Sequence, residues 1–317
     1  MTENNLKRNK KHISGATVAT HIVLIVFSLI SVFPFYWIVV SSTNTSNDVV
    51  QARLYPGTNL GANLYGLVTD NQNLDLTFMG SSDETEADPT ATKVDSIWQF
   101  LSIIGSSKIV TAFWNSLRNT LLITAGSLLV SSAAGYAFVV YRSKGKEFVM
   151  KLIMLSMMIP AAATLVPLFR MFSKIGMTNN YWGVVIPAFS TAFLIFMFRQ
   201  GAQSFPRELI EASRIDGLSE FGIFTRVFMP VMKPTYSAAA TVTFMNSWNS
   251  YLWPLVILAA NPKNHTMPMY ISNLMGGYVL NFGQIMLAVT ITTIPTVIIF
   301  FLLQKNFVEG ILGSVKQ

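Results

Sequence analysis

The sequence predicts an all-α membrane protein, because apolar residues dominate it and its charges are confined to a few short segments. Hydrophobic residues make up 51% of the 317-residue chain and charged residues only 12%, about half the charged share of a typical soluble domain. A soluble fold of this composition would leave many apolar side chains exposed to water. Long uncharged runs between charged segments are typical of a chain that crosses a bilayer several times.

Composition also argues against several kinds of site. The chain has no cysteine, so it has no disulfide and no thiolate metal or redox centre. Its three histidines, His12, His21 and His265, are scattered singly, which disfavours a histidine metal cluster. The net charge of +7 does not indicate nucleic acid, because cytoplasmic Lys and Arg make membrane proteins basic. We expect no metal, no cofactor in this chain and no nucleic-acid partner.

Six uncharged runs are long enough to form transmembrane helices. They cover residues 17–40, 119–141, 152–169, 181–198, 235–260 and 279–303. About 20 residues cross the hydrocarbon of a bilayer, and the third and fourth runs are the shortest. The first run is too long for a signal-peptide core and ends without a small-residue cleavage site, so we expect it to be retained.

The positions of Lys and Arg predict that both termini are cytoplasmic. With the N-terminus inside, 15 of the 22 Lys and Arg residues lie in cytoplasmic segments, and such segments are enriched in these residues. The predicted order is a cytoplasmic N-terminus (1–16), a first transmembrane helix (17–42), an extracytoplasmic loop (43–110), a five-helix transmembrane domain (111–304) and a cytoplasmic tail (305–317). Within the long outer loop, the acidic residues 80–89 are expected to be a mobile surface excursion, and the apolar residues 96–110 to lie along the membrane surface.

The loop between the fourth and fifth spans, residues 201–234, carries the most specific pattern. Pro206 suits a first helical position and Gly217 a helix end, and a second short helix is predicted from Ser219, ending at Pro230. The small residues Ala212 and Ser213 would let the helix backbone approach a partner closely. Two interpretations stand at this point, docking into a groove of another protein or an amphipathic helix on the bilayer surface.

This loop resembles the EAA loop of ABC importer permeases, whose pattern is E-A-A, three residues, G, nine residues and I-x-L-P. Here the pattern is Glu211-Ala212-Ser213, then Gly217, then Val227-Phe228-Met229-Pro230, with every spacing kept. Ser213, Val227 and Met229 depart from it but keep small size or apolar character. The resemblance implies that the helix docks on an ATPase subunit. The residues implied in that contact are Glu208, Leu209, Glu211, Ala212, Ser213, Asp216, Gly217 and Pro230.

Nearly the whole chain is similar to the six-span subunit of the maltose-type sugar permease family. The similar segments are Pro34-Phe35-Tyr36-Trp37, Asn115-Ser116-Leu117 with Asn119-Thr120, and the residues 304–316 at the C-terminal end. The resemblance implies a type I ABC importer permease fold in the bacterial inner membrane. It also implies that the tail reaches the ATPase interface, through Phe307, Gly310, Gly313 and Lys316.

The same resemblance implies the partners and the division of labour. These are a second permease subunit, two ATP-binding subunits and an extracellular solute-binding protein that delivers a sugar. The chain has no G-x-x-x-x-G-K-[ST] phosphate loop, so ATP and Mg²⁺ would be bound by partner subunits and this chain would not be an enzyme. A polyol or glycerol phosphate is the alternative cargo within this class.

Polar and aromatic residues in the fifth run are candidates for the substrate path. Asn246, Asn249 and Trp253 would share one face of a continuous helix, with Trp248 beside them. Amides and aromatic rings suit a sugar, but asparagines in spans also bond neighbouring helices, and both interpretations stay open. An ion-coupled transporter is disfavoured because it normally carries ionisable residues within spans, and the six runs lack Asp, Glu, Lys and Arg. An intramembrane enzyme is disfavoured because neither an H-E-x-x-H motif nor paired membrane carboxylates occur.

Overall fold

Helices account for almost all of the regular structure. A computed structural model describes residues 15–71, 74–75, 92–94, 96–141, 145–203, 205–277 and 280–315. Within these residues the longest helices are α1 (Gly15–Ser41), α5 (Lys108–Val140) and α16 (Phe282–Val315). The others are α2 (Ser46–Val50), α3 (Leu60–Val68), α4 (Ile97–Ser106), α6 (Lys146–Ser156), α7 (Ala161–Lys174), α8 (Tyr181–Val185), α9 (Ala192–Ala202), α10 (Arg207–Ile215), α11 (Glu220–Ile223), α12 (Met229–Val231), α13 (Lys233–Trp248), α14 (Leu252–Leu258) and α15 (Met267–Met275).

Shorter elements complete the described chain. Tight 3₁₀ turns occur at Ile186–Ala188 and Pro262–Asn264, and a wider π-helical turn at Phe224–Phe228. Two strands of two residues each, β1 (Leu74–Asp75) and β2 (Thr92–Lys93), pair in parallel. The prediction of an all-α membrane fold is therefore confirmed, with this one small strand pair as an addition.

Four helical segments of the described chain are long and apolar enough to cross a membrane. They are Thr17–Ser41, Lys108–Val140, Tyr181–Ala202 and Phe282–Gln304, and they match the first, second, fourth and sixth predicted spans. The second begins at Lys108 rather than at residue 119. Arg118, where we had placed the boundary, is held inside the helix because its guanidinium lies 4.0 Å from the centre of the Tyr181 ring.

The third predicted span is bent rather than straight. Its two halves, α6 and α7, are bent by 100° at residues 157–160. Pro160 accounts for the interruption, because proline has no backbone N–H to donate and disfavours helical backbone at the residue before it. The chain resumes a helix at Ala161, directly after the proline.

The fifth predicted span, 235–260, is also interrupted, and it consists of two helices, α13 and α14. α13 has 16 residues and α14 has seven, and each alone is shorter than a bilayer requires. Asn249 ends α13 by donating its side-chain amide to the carbonyl of Met245 (2.8 Å). In an unbroken helix the ring of Pro254 would clash with the carbonyl of Ser250, four residues earlier.

The long loop before α5 gathers at one end of the bundle with the start of α16. The side chain of Gln284 donates to the amide oxygen of Asn71 (2.7 Å), and the buried Asn63 donates to the carbonyls of Ser42 and Asn44 at 2.9 and 3.0 Å. α4 covers part of the segment expected along the membrane surface, and its Trp98 is 78% exposed. Residues 80–89, the acidic patch, lie outside the described residues.

The loop from 205 to 232 lies at the opposite end of the bundle. There the last turn of α5 meets α11, and Arg199 at the end of α9 forms an ion pair with Glu147 at the start of α6 (2.7 Å). α5 therefore runs between the two ends.

α5 and α9 touch almost backbone to backbone. A Cβ atom at Gly135 would lie 2.6 Å from the Cβ of Phe198 and 2.9 Å from its carbonyl carbon. One helical turn earlier, Ser131 and Ser132 are fully buried. Small residues permit this approach, and in lipid the close packing itself holds helices together, because no water is released between them.

We predict that Gly135→Ala lowers the stability of the detergent-solubilised chain by about 1–3 kcal/mol, because backbone atoms of α9 must shift to admit the methyl group. Thermal unfolding followed by helical circular dichroism measures the change. Gly105→Ala is the matched control, since Gly105 is also helical and nothing lies within 4 Å of its added Cβ. A Gly135→Ala protein as stable as the Gly105→Ala protein would contradict the prediction.

Candidate functional site

The predicted helix in the 205–232 loop is present as α10. Glu208 lies in its first turn and Arg214 in its last, and both charges are favourably placed for the helix dipole. The helix begins at Arg207, with Pro206 as the residue that precedes it rather than the first helical residue. That difference of one position does not alter the predicted element.

Gly217 ends α10 for a conformational reason. Its φ is +79°, a region that residues with a Cβ rarely adopt. This backbone lets the amide of Gly217 donate to the carbonyl of Arg214, and that of Leu218 to the carbonyl of Ser213, each at 3.1 Å. Together these bonds form a Schellman motif. The glycine of the E-A-A-x-x-x-G pattern is thus explained by local backbone chemistry.

α10 has one buried and one exposed face. Ile210 is 4% exposed and Ser213 is 7% exposed, and both point into the bundle. Ser213 donates its hydroxyl to the carbonyl of Leu209 (2.6 Å), so the departure from alanine adds no unpaired polar group. Exposed positions of the predicted docking set are Glu208, Leu209, Glu211, Ala212, Asp216 and Gly217.

Two large apolar side chains add to the exposed surface of this loop. Ile215 at the end of α10 is 87% exposed, and Phe221 in α11 is 75% exposed. Contiguous exposed apolar groups of this kind mark contact surfaces. They were not among the residues singled out from the motif.

The buried face of α10 rests on a set of aromatic side chains that we call the aromatic block, formed by Tyr136, Phe198, Phe205, Phe224 and Phe228. These five residues belong to one buried cluster with Ile210. The Tyr136 ring meets the rings of Phe224 and Phe228 at centroid distances of 5.5 and 5.0 Å, both edge-on. α10 is therefore packed against α11 and the π-helical turn, and Ile210 joins the buried cluster that also holds side chains of α5 and α9.

The segment after α10 follows the prediction in part. Ser219 caps α11 by accepting a hydrogen bond from the amide of Gly222 (3.2 Å), as expected. Pro230, however, does not end a helix; it lies within α12. Proline is tolerated there because the first turn of a helix needs no N–H donor from it.

Glu220 is the most highly connected side chain at this end of the bundle. One of its oxygens accepts hydrogen bonds from the hydroxyls of Tyr136 (3.1 Å) and Tyr141 (3.0 Å). The other accepts from the guanidinium of Arg214 (2.9 Å). Partial desolvation raises the pKa of Glu220, but the hydrogen bonds from Tyr141, Arg214 and Tyr136 outweigh it, and the pKa lies below its usual value. The carboxylate is therefore charged at neutral pH.

A groove of about 410 Å³ lies beside α10. Its walls combine the end of α5 with two arginines and one acidic residue of α10. The lining residues are Val140, Tyr141, Arg207, Ile210, Glu211 and Arg214. The groove thus presents both apolar and charged side chains.

The predicted substrate-path residues are not brought to one face. Trp248 is 1% exposed, stacks on Phe244 at 6.0 Å and donates its indole N–H to the carbonyl of Thr292 (2.9 Å). Trp253 lies on the separate helix α14 and donates to the carbonyl of Gly183 (3.1 Å). Asn246 and Asn249 are exposed. The two tryptophans thus have structural contacts, and so does the exposed Asn249, whose side-chain amide donates to the carbonyl of Met245 (2.8 Å).

The predicted tail is a continuation of α16 in the structure. The helix extends through Val315 without a break at the end of the sixth span. It includes the positions of Phe307, Gly310 and Gly313, whose side chains are not described, while Lys316 lies outside the described residues. Among the described residues, no group of three or more His, Asp or Glu side chains could hold a metal ion.

The fold and this loop define a multi-spanning membrane protein with a short helix that has one exposed face and one face buried in a cluster of aromatic side chains. The chain belongs to the family of binding-protein-dependent transport system inner membrane components, whose pattern matches residues 126–312. That range includes α10, the aromatic block and both interrupted spans. The suspected ABC importer permease class is thereby confirmed.

Full-length relatives agree with this assignment. The chain is 35% identical to a lactose transport system permease protein of Rhizobium radiobacter, covering 94% of this chain and 96% of the relative. It is 30% identical to an arabinooligosaccharides transport system permease protein of Bacillus subtilis, covering 98% and 99%. An sn-glycerol-3-phosphate transport system permease protein of Pectobacterium atrosepticum is 29% identical, covering 95% and 98%.

A solved structure confirms the fold. A chain of a bacterial ABC transporter involved in the import of the acidic polysaccharide alginate matches with a TM-score of 0.65 at 19% identity, covering 92% of this chain and 95% of that one. The predicted ABC importer permease architecture is therefore present in this protein.

We predict that Gly217→Ala speeds amide hydrogen exchange at residues 216–218 about tenfold, because a left-handed backbone costs a residue with a Cβ roughly 1–2 kcal/mol. Exchange measured by mass spectrometry on peptides covering α10 tests this. Gly145→Ala is the control, since Gly145 also has open space around it but a negative φ. Unchanged exchange in the Gly217→Ala protein would contradict the assigned role.

Proposed function

We propose that this chain is one permease half of an ATP-driven importer for sugars or oligosaccharides, and that α10 docks on an ATP-binding partner subunit. The observation that carries the proposal is the two-faced character of α10. Its inward face is fixed in the aromatic block, while Glu208, Glu211 and Ala212 are exposed on a helix that the family pattern covers. An exposed face on an immobilised helix is suited to receive a partner.

The proposed working assembly contains a second permease subunit, two ATP-binding subunits and an extracellular solute-binding protein. α10 lies on the cytoplasmic side, and ATP and Mg²⁺ are bound by the partners. The bacterial inner membrane is the proposed location. This placement follows the Lys and Arg distribution, and the family description of an inner membrane component supports it.

The number of membrane crossings that we propose is six. α6 and α7 enter at the α10 end, where Glu147 meets Arg199, and leave toward Asn179, whose amide N–H bonds the carbonyl of Ile257 near the end of α14. The bent pair therefore connects opposite ends of the bundle. We propose that α13 and α14 together form the fifth membrane crossing.

In this assembly, closure of the ATP-binding subunits moves α10, and α10 moves the bundle. Ile210 places α10 in the same buried cluster as side chains of α5 and α9, so a tilt of the helix disturbs the close packing of that cluster. A rigid-body change of this kind has two discrete arrangements with different contacts at the docking site. Alternating access of a central path follows from it.

The proposed cargo is a sugar or oligosaccharide. Two relatives with sugar transport names align over nearly the whole chain at 35% and 30% identity. The sn-glycerol-3-phosphate relative aligns at 29%. Since the two tryptophans of the predicted path have structural contacts, we assign any direct cargo contact to the exposed amides of Asn246 and Asn249.

We predict that Ala212→Arg reduces co-purification of the ATP-binding subunit at least about tenfold, because a long charged side chain prevents close approach of the α10 backbone. The tagged chain is expressed with its partners and the ratio of subunits is measured after solubilisation. Ala260→Arg is the control, because Ala260 is also exposed but lies at the opposite end of the bundle. Equal recovery of the ATPase with both variants would overturn the docking assignment.

We predict that Asn249→Ala lowers uptake of lactose into vesicles that hold the whole assembly by about tenfold. sn-Glycerol 3-phosphate is the comparison cargo. Trp253→Phe is the control; it should reduce thermal stability, through loss of the hydrogen bond to Gly183, and leave cargo preference unaltered. If Asn249→Ala changes neither uptake nor preference, a direct contact with cargo is excluded at this position.

A further inference from the structure

We infer that Glu220 is a positioning residue that locks α10 to the second span and thereby couples ATP hydrolysis to transport. This inference rests on the proposed function and assigns a role to a residue outside the E-A-A-x-x-x-G positions. The motif itself explains docking and the end of α10. It does not explain how a docked helix of nine residues is fixed in orientation.

The donors around Glu220 come from two elements that lie far apart in the sequence. Tyr136 and Tyr141 belong to the end of α5, and Arg214 belongs to the last turn of α10. Glu220 itself is the first residue of α11. One carboxylate therefore ties three segments together, and we call this arrangement the Glu220 hub, made of Glu220, Tyr136, Tyr141 and Arg214.

A carboxylate suits this position better than any neutral side chain. Its two oxygens accept several hydrogen bonds, and all three neighbours can donate. Arg214 donates to one oxygen through two nitrogens, and the tyrosines share the other. A glutamine of the same shape could keep its oxygen on Arg214, but it would lose the negative charge, and its N–H₂ group would face the tyrosine hydroxyls, which would then have to accept rather than donate.

The hub is firmly connected to the span behind it. The Tyr136 ring is part of the aromatic block and only 5% of the residue is exposed. Behind Tyr141, the ammonium of Lys146 donates to the carbonyls of Phe138 (3.0 Å) and Tyr141 (3.4 Å) at the end of α5. The tyrosine donors are thus held in place from the membrane side.

Apolar packing alone would leave α10 free to rotate about its contact with the aromatic block, and the hub prevents this rotation. Ile210 fixes the middle of the helix on the aromatic block, but a single apolar anchor allows the helix to swivel about it. Arg214 lies one turn further along, and its bond to Glu220 fixes the second point. Two fixed points set the direction of the helix. A displacement of α10 by a partner therefore displaces α5 as well, instead of only rotating α10.

Glu220→Gln in the whole assembly, reconstituted in vesicles with the binding protein and a saturating sugar, tests the inference. We expect the ATP-binding subunit to co-purify normally, while the sugar transported per ATP hydrolysed falls roughly tenfold or more, since losing hydrogen bonds to a charged group shifts an equilibrium by about that factor. Stimulation of ATP hydrolysis by the binding protein should fall in parallel. A purely structural role would lower thermal stability and leave the ratio of transport to hydrolysis unaltered.

Two further variants keep the outcome interpretable. The pair Tyr136→Phe with Tyr141→Phe removes the two hydroxyl donors and keeps the rings, so it should uncouple the assembly similarly, and adding Glu220→Gln should cause little further loss. Glu147→Gln breaks the ion pair with Arg199 at the same end of the bundle but leaves all four residues of the Glu220 hub unchanged. It should leave the ratio of transport to hydrolysis at the wild-type value.

The outcomes separate the two proposals. If the wild-type chain does not bind an ATP-binding subunit, the proposed function itself fails. If it binds and transports, and Glu220→Gln retains the wild-type ratio of transport to hydrolysis, only the role of the Glu220 hub is refuted. Additive losses in the combined variant would likewise show that the carboxylate and the tyrosines do not act together.

Discussion

The packing of Ile210 against the aromatic block is the interaction on which the functional part of the molecule depends. α10 has only nine residues, too few to be a stable helix in water by itself. Its stability must come from tertiary contacts, and those contacts are with α11, the π-helical turn and the buried cluster that also holds side chains of α5 and α9. The same burial that lets α10 exist therefore joins it to the membrane spans. The burial of Ile210 thus stabilises α10 and, in the proposed function, also transmits its movement to the membrane spans.

Much of this architecture was predictable from the sequence, because charge and motif spacing are local signals. Four of the six predicted spans correspond to long apolar helices, and α10 ends at the glycine that the motif names. The two interruptions are not visible in the count of uncharged residues that located the spans. That count measures whether a segment tolerates lipid, but not whether its backbone is continuous. Pro160 and Pro254 mark the places where the helices can break, but whether they break there depends on the neighbouring helices that cover the gap.

In the candidate site, too, features set by residues near one another in sequence were predictable, and features that depend on distant residues were not. Docking positions follow from spacing within a dozen residues. The Glu220 hub depends on Tyr136 and Tyr141, which precede Glu220 by about 80 residues, and no periodicity connects them. The tryptophans of α13 and α14 illustrate a case that residue type leaves open, because sugar contact and a structural role both suited it, and Trp248 and Trp253 bond the backbones of other segments. Only the fold shows whether an aromatic side chain packs against other segments of the protein or is exposed to a ligand.

The sharp bend between α6 and α7 has a consequence for where this subunit can stand in the membrane. Acyl chains offer no hydrogen bonds to backbone carbonyls, so an interrupted helix is stable only where protein or water shields the gap. Met158 and Ile159 at the bend are 78% and 55% exposed, so other segments of the described chain do not cover this elbow. Any shielding of the backbone carbonyls at residues 157–160 therefore has to come from outside the described chain.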